Sequence, residues 1–328
     1  MAVQILRGDC RNVLKTLPDE SVHCVVTSPP YWGLRDYGVA DAIGLEPSVD
    51  EHVAALVGVF REVRRVLRKD GVLWMNYGDA YAAGHGGSTT EGNYTPKVST
   101  LRPSAMKERV DVDVGGWGKT DASLRLVRAG IKAKDLIGLP WRTALALQAD
   151  GWYLRSDVIW SKPNPMPESV TDRPTRSHEY IFLLTRSARY HYDIDAIREP
   201  QESLGARHEG KSGYRDDHPS KGGIKKRTLH PLGRNVRSVW SFPTEAFPES
   251  HFATFPAALA ERCILAGCPA GGVVLDPFGG AGTTGMVADR LQRDAILIEL
   301  SPIYADMAER RINRDGGLFA TVESAHAQ

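Results

Sequence analysis

The chain has 328 residues, 42% of them hydrophobic, enough to bury a sizeable core in one large domain. Charged residues make up 25% and the net charge is +1, which excludes a disordered polyelectrolyte and a uniformly basic coat. A polyanionic partner would have to be met by locally clustered cations.

Four cysteines, Cys10, Cys24, Cys263 and Cys268, form no CxxC pair, and no histidine cluster completes a zinc set. The chain is therefore read as metal-free, with reduced thiols. Its first residues lack the apolar core of a signal peptide, and no run of about 18 apolar residues occurs. A soluble, cytoplasmic protein is expected.

Along the chain, short apolar runs alternate with helical patterns, the signature of an α/β domain with a mostly parallel sheet. Residues 22–26 (VHCVV) predict a buried strand running into Thr27 and Ser28. Residues 52–67 carry apolar positions at helical spacing and end in the stop Arg68-Lys69-Asp70-Gly71, before a strand at 72–75. Residues 84–119, rich in Gly, Ser, Thr and Pro, predict an inserted loop. A helix is expected over 135–149, then strands at 157–160 and 180–184. Residues 198–237 are polar, and their latter part holds Lys221, Lys225, Lys226, Arg227, Arg234 and Arg237 without one Asp or Glu. Such a run is either a solvated loop or a phosphate-contacting element. The rest predicts a helix at 256–266, a strand at 273–275, a helix at 283–291, a strand at 295–298 and a helix at 303–312.

The most informative segment starts at Val273: a strand runs into Asp276-Pro277-Phe278-Gly279-Gly280-Ala281-Gly282-Thr283-Thr284, a glycine-rich turn opening a helix. Glycines let backbone approach a ligand, and the helix start supplies free N–H donors. The next strand ends at Glu299, placed to accept from both hydroxyls of a ribose. The turn lacks a true GxGxxG and opens with an acid, which speaks against NAD. Asp276 is suited to a cationic amino group, as on the methionine part of S-adenosylmethionine.

At the other end, Thr27-Ser28-Pro29-Pro30-Tyr31-Trp32 follows a strand, where open α/β sheets place their chemistry. The two prolines are stiff and lack N–H donors, so their carbonyls can serve as fixed acceptors. Ser28 and the Pro29 carbonyl could take the hydrogens of an amine on a planar ring, with Tyr31 stacked on that ring. The segment also reads as a stiff turn packing an aromatic on the core.

Ser28-Pro29-Pro30-Tyr31 together with the Asp276–Thr284 turn resembles the beta-group amino-methyltransferases of DNA, whose catalytic motif precedes their Phe-x-Gly-x-Gly cofactor motif. The resemblance covers most of the chain. It implies a Rossmann-like methyltransferase fold, α/β with a mostly parallel sheet, circularly permuted motif order and an inserted target-recognition region. It makes residues 1–328 one catalytic domain, 251–315 its cofactor-binding half and 198–237 the target-recognition region, with 84–119 a second DNA-contacting candidate. It implies S-adenosylmethionine as cofactor, held by Asp9 at the adenine, Glu299 at the ribose, and Asp276, Phe278, Gly280, Gly282, Thr283 and Thr284. His251-Phe252-Ala253-Thr254-Phe255-Pro256 resembles the family's upstream segment, giving Phe252 and Thr254 a cofactor role, though it departs from the commoner His-Pro-Thr-x-Lys-Pro. Blocks 164–169 and 173–180 resemble the middle region that lines the base pocket.

The resemblance implies double-stranded DNA as partner, bound by the basic run, and leaves open a homodimer and a cognate restriction enzyme. Ser at the first motif position favours N4 of cytosine, with N6 of adenine the alternative. A DNA-binding module without catalysis is the reading from another class, and the intact motifs speak against it.

Overall fold

The buried apolar runs pair into a single nine-stranded sheet among the described residues of this computed structural model, which are 2–33, 42–82, 131–132, 134–201, 230–245, 255–316 and 321–326. In chain order the elements are β1 (Ala2–Arg7), α1 (Cys10–Thr16), β2 (Val22–Thr27), α2 (Val49–Val66), β3 (Leu67–Tyr77), α3 (Leu139–Ala149), β4 (Tyr153–Ser161) and β5 (His178–Thr185). After a 3₁₀ turn (Asp195–Ile197) come β6 (Val239–Ser241), α4 (Ala257–Gly267), β7 (Val273–Asp276), α5 (Thr283–Arg290), β8 (Asp294–Glu299), α6 (Pro302–Gly316) and β9 (Thr321–His326). Strand order is β6-β4-β5-β3-β2-β7-β8-β1-β9. Only β5 among them runs antiparallel to its neighbours, so the expected mostly parallel α/β fold is present.

Period-two alternation splits each inner strand between two cores, one on each face of the sheet. Cys24, Val26, Val72, Trp74 and Val274 join the α4 residues Leu259, Cys263 and Ile264 on one face. Val25, Leu73, Met75 and Leu275 join Leu56, Phe60 and Val63 of α2 on the other. Ser48 caps α2 by accepting from the Glu51 N–H at 3.2 Å, and Asp50 and Glu51 complement the dipole of its first turn.

Several boundaries differ from those expected. The segment 68–71 is not a break after a helix but the start of β3, which follows α2 directly; the register with β2 shifts between Val22 and Cys24 to absorb it. Helix α3 begins at Leu139 rather than 135, because Gly138 adopts a left-handed φ of 76° and Pro140 favours a first turn. Strands β1, β6 and β9 and helix α1 were not anticipated. No helix among the described residues is long and apolar enough to cross a membrane. The insert 84–119, most of the basic run, Phe252 and Thr254 lie outside the described residues.

Candidate active site

The carboxyl ends of β2, β7, β8 and β1 lie side by side, since these strands are consecutive neighbours in one parallel block. This places Ser28, Asp276, Glu299 and Asp9 along one edge of the sheet.

On the β7–β8 side, Gly280 and Gly282 take positive φ values of 49° and 78°. Gly282 must also be small: a Cβ there would lie 2.8 Å from Ala308 Cβ on α6. A Cβ at Gly280 would approach nothing nearer than the Phe278 carbonyl at 3.9 Å, so the turn is open there. The Gly280 N–H donates to Glu299 Oε2 at 2.7 Å, and the Ser301 N–H to Oε1 at 2.8 Å. Burial raises the Glu299 pKa while these amides work to lower it. Each of its oxygens keeps a lone pair for a further donor. The Gly8 N–H reaches the Glu299 carbonyl at 2.9 Å, which sets Asp9 next to it. Asp9 caps α1 through the Arg11 N–H at 2.8 Å; burial opposes its charge, but the Arg11 hydrogen bonds hold its pKa below the usual value.

Asp276 joins the two halves of the site. Its carboxylate accepts from Thr27 Oγ1 at 2.6 Å, Thr284 Oγ1 at 2.7 Å and the Phe278 N–H at 3.1 Å. It is only 2% exposed, and burial pushes its pKa up to about 6. The cationic amino group expected for it in the sequence thus finds both oxygens already engaged, one by Thr27 of β2 and one by Thr284 of helix α5. Thr283, first in α5, accepts from the Arg311 guanidinium at 2.7 Å.

The Ser28–Tyr31 segment is held from behind by a buried polar chain that sequence reasoning missed. The Tyr77 hydroxyl lies 3.4 Å from the Pro30 carbonyl and 2.7 Å from His52 Nε2; His52 Nδ1 lies 2.8 Å from Glu46 Oε2. Glu46 also accepts from the Gly44 N–H at 2.9 Å, and its carbonyl accepts from Trp32 Nε1 at 2.8 Å. The Trp32 indole bond to the Glu46 carbonyl anchors the residue that follows Tyr31. Tyr31 donates its hydroxyl to Glu179 at 3.1 Å; burial, and then the Glu179 charge, push the phenol's pKa well up, so it remains a donor. Asp79 Oδ1 accepts from the N–H groups of Ala80, Gly138 and Leu139, tying the end of β3 to the start of α3.

The middle block sits at the same edge, between β4 and β5. Asn164 clasps Thr244 by side chain to backbone at 2.9 and 3.3 Å, and Arg173 pairs with Glu168 at 2.7 Å while lying over the Tyr81 ring. Of the basic run, Arg234 pairs with Glu199 at 3.2 Å and Arg237 is exposed. Lys221, Lys225, Lys226 and Arg227 lie outside the described residues.

Comparison with known proteins places this arrangement. The N6/N4 DNA methylase family matches residues 22–310. The chain is 45% identical over 311 residues to the type II methyltransferase M.SmaI of Serratia marcescens, covering 95% of this chain and 91% of that one. It is 44% identical over 309 residues to M.Cfr9I of Citrobacter freundii, covering 94% and 87%. TTHA0409 of Thermus thermophilus, solved with S-adenosyl-L-methionine, superposes with a TM-score of 0.57 at 25% identity, over 98% of this chain and 99% of that one. PvuII DNA methyltransferase (cytosine-N4-specific) shares the fold at a TM-score of 0.60 and 18% identity, over 98% and 96%. With its catalytic motif ahead of its cofactor motif on this fold, the chain belongs to the N6/N4 DNA methylase family, as a beta-group amino-methyltransferase.

Proposed function

We propose that the chain transfers a methyl group from S-adenosylmethionine to N4 of cytosine at a defined site in double-stranded DNA. Methyl transfer to DNA within the N4/N6 class, with S-adenosylmethionine as donor, follows from family membership. The choice of cytosine is the further step. It is carried by Ser28, a neutral hydroxyl at the head of the Pro-Pro loop, directly after β2.

The residues at the β7–β8 edge fit a nucleoside cofactor: a buried carboxylate with lone pairs to spare, an open glycine turn, and a second acid one strand away. Glu299 would take the ribose hydroxyls, Asp9 the adenine, and the turn from Phe278 to Thr284 the methionine end, with Phe252 and Thr254 assigned there by sequence. When bound, S-adenosylmethionine supplies an electrophilic methyl on a sulfonium.

The target amine is a poor nucleophile because its lone pair is delocalised into the ring. Ser28 Oγ and the Pro29 carbonyl are assigned to hold its two hydrogens, favouring a pyramidal nitrogen aimed at the methyl. Catalysis by this chain is then chiefly positioning. In duplex DNA the amino edge is paired, so the base must be flipped out at a cost of a few kcal/mol, and Tyr31 receives it by stacking. The basic residues of 198–237, with the insert 84–119, are assigned to the DNA backbone.

Mass spectrometry of DNA digested after incubation with the enzyme tests the reading. N4-methylcytosine is expected, and N6-methyladenine alone would overturn the choice of base. Ser28→Ala should lower turnover far more than cofactor affinity, since its contact is with the reacting nitrogen.

A further inference from the structure

We propose that Glu179, held by Lys162 and Asn76, is a positioning residue that fixes Tyr31 as the surface receiving the target base. This rests on the role given to Tyr31 above and adds what keeps the ring in place.

Glu179 lies on the antiparallel strand β5, opposite Trp160 of β4. Its Oε2 accepts from the Tyr31 hydroxyl at 3.1 Å and from Asn76 Nδ2 at 3.0 Å, and its Oε1 from Lys162 Nζ at 2.5 Å. The Lys162 ammonium also rests 4.4 Å from the centroid of the Trp160 ring. The Lys162 and Glu179 side chains are only 17% and 12% exposed. A shielded ion pair is a weak source of stability, because desolvation offsets much of the Coulomb attraction. What it does supply is direction: with Asn76 and Lys162 fixing both oxygens, the carboxylate presents one immobile acceptor to the phenol.

Packing closes the remaining freedom. A Cβ at Gly78 would lie 2.9 Å from Tyr31 Cε2 and 3.2 Å from Glu179 Cδ, so only glycine leaves room for this contact. The Tyr77 ring stands 5.2 Å from the Tyr31 ring, tilted by 49°. Tyr77 and Gly78 at the end of β3 and Glu179 of β5 thus meet at one phenol, with Lys162, just past β4, holding the carboxylate. A ring already ordered loses less freedom on capturing a base than one that must be immobilised at that moment.

The test compares Tyr31→Phe, the pair Glu179→Gln with Lys162→Met, and all three together; the paired change avoids leaving a buried cation alone. Turnover is measured on duplex bearing the enzyme's own site. Affinity is measured for that duplex and for one with an abasic residue at the target. Tyr31→Phe and the paired variant should each lower kcat by roughly tenfold and shrink the preference for base over abasic DNA. The triple variant should be no worse than the weaker of the two, because both act through one hydroxyl contact. Cofactor affinity by calorimetry should stay within about twofold, since none of these groups lies at the β7–β8 edge. Multiplying losses, or wild-type behaviour of the pair, would overturn the proposal. Gly78→Ala, which crowds both Tyr31 and the Glu179 carboxyl group without removing a charge, gives a second route: reduced kcat with intact cofactor binding supports the proposal, and unchanged kcat opposes it. A fully active Tyr31→Ala would instead remove the base-stacking role itself.

Discussion

Replacing Asp276 with Asn deletes a buried carboxyl group at the joint between β2 and helix α5 while keeping its shape. In the wild type, burial outweighs the hydrogen bonds from Thr27, Thr284 and the Phe278 N–H and places the pKa at about 6, against an ordinary value of 3.8. Between those values the folded chain binds a proton that the unfolded chain lacks. The stabilisation from this group is therefore complete below the unfolded pKa and lost as pH rises through about 6. Linkage over about pH 7.5 to 4.5 amounts to about 2 kcal/mol in favour of the acidic end. The Asn amide oxygen can still accept from Thr27 and the Phe278 N–H. Its NH₂ can donate to Thr284 Oγ1, which then donates to the Val26 carbonyl at 3.2 Å. Urea unfolding of both proteins at matched pH isolates the effect, because titrating groups that do not feel the Asp276 charge cancel in the difference; Glu299, which does feel it, changes with the variant. Wild type minus variant should rise by about 2 kcal/mol on acidification across that window. Parallel pH profiles would refute the buried, proton-binding Asp276.

The remaining predictions address the two binding surfaces. Glu299→Ala removes the proposed ribose acceptor and the partner of two backbone amides, and should weaken S-adenosylmethionine binding by about 1–3 kcal/mol in calorimetry; unchanged affinity would sink the assignment. Reversing the charges of Lys225, Lys226 and Arg227 should weaken DNA binding and flatten its dependence on salt while cofactor binding survives, because fewer counterions are released. An identical salt slope would return that stretch to a solvated loop.

The sequence alone determined the alternation of strands and helices, the permuted order of the two motifs and the cofactor class. Those features are local: buried parallel strands are apolar runs, and a turn that must admit positive φ or close approach writes itself in glycine. The two glycines at positive φ in the cofactor turn are both ones singled out from sequence, Gly280 and Gly282. Short or edge strands were illegible because pairing, rather than composition, makes them strands: β6 has three residues, and β9 is the polar segment TVESAH. The inward turn of Asp276 and the supports of the catalytic loop were equally hidden. Glu46, His52, Tyr77, Asn76, Lys162 and Glu179 lie far apart in the chain and carry no spacing that links them. His52 reads as one polar residue on an otherwise apolar helix face, and Glu179 falls within the 173–180 block without a role of its own. Only the sheet order β4-β5-β3-β2 brings β5 against β3 and sets Glu179 beside Tyr31. A buried polar group is satisfied by whatever partner the fold delivers, and that partner is decided in three dimensions.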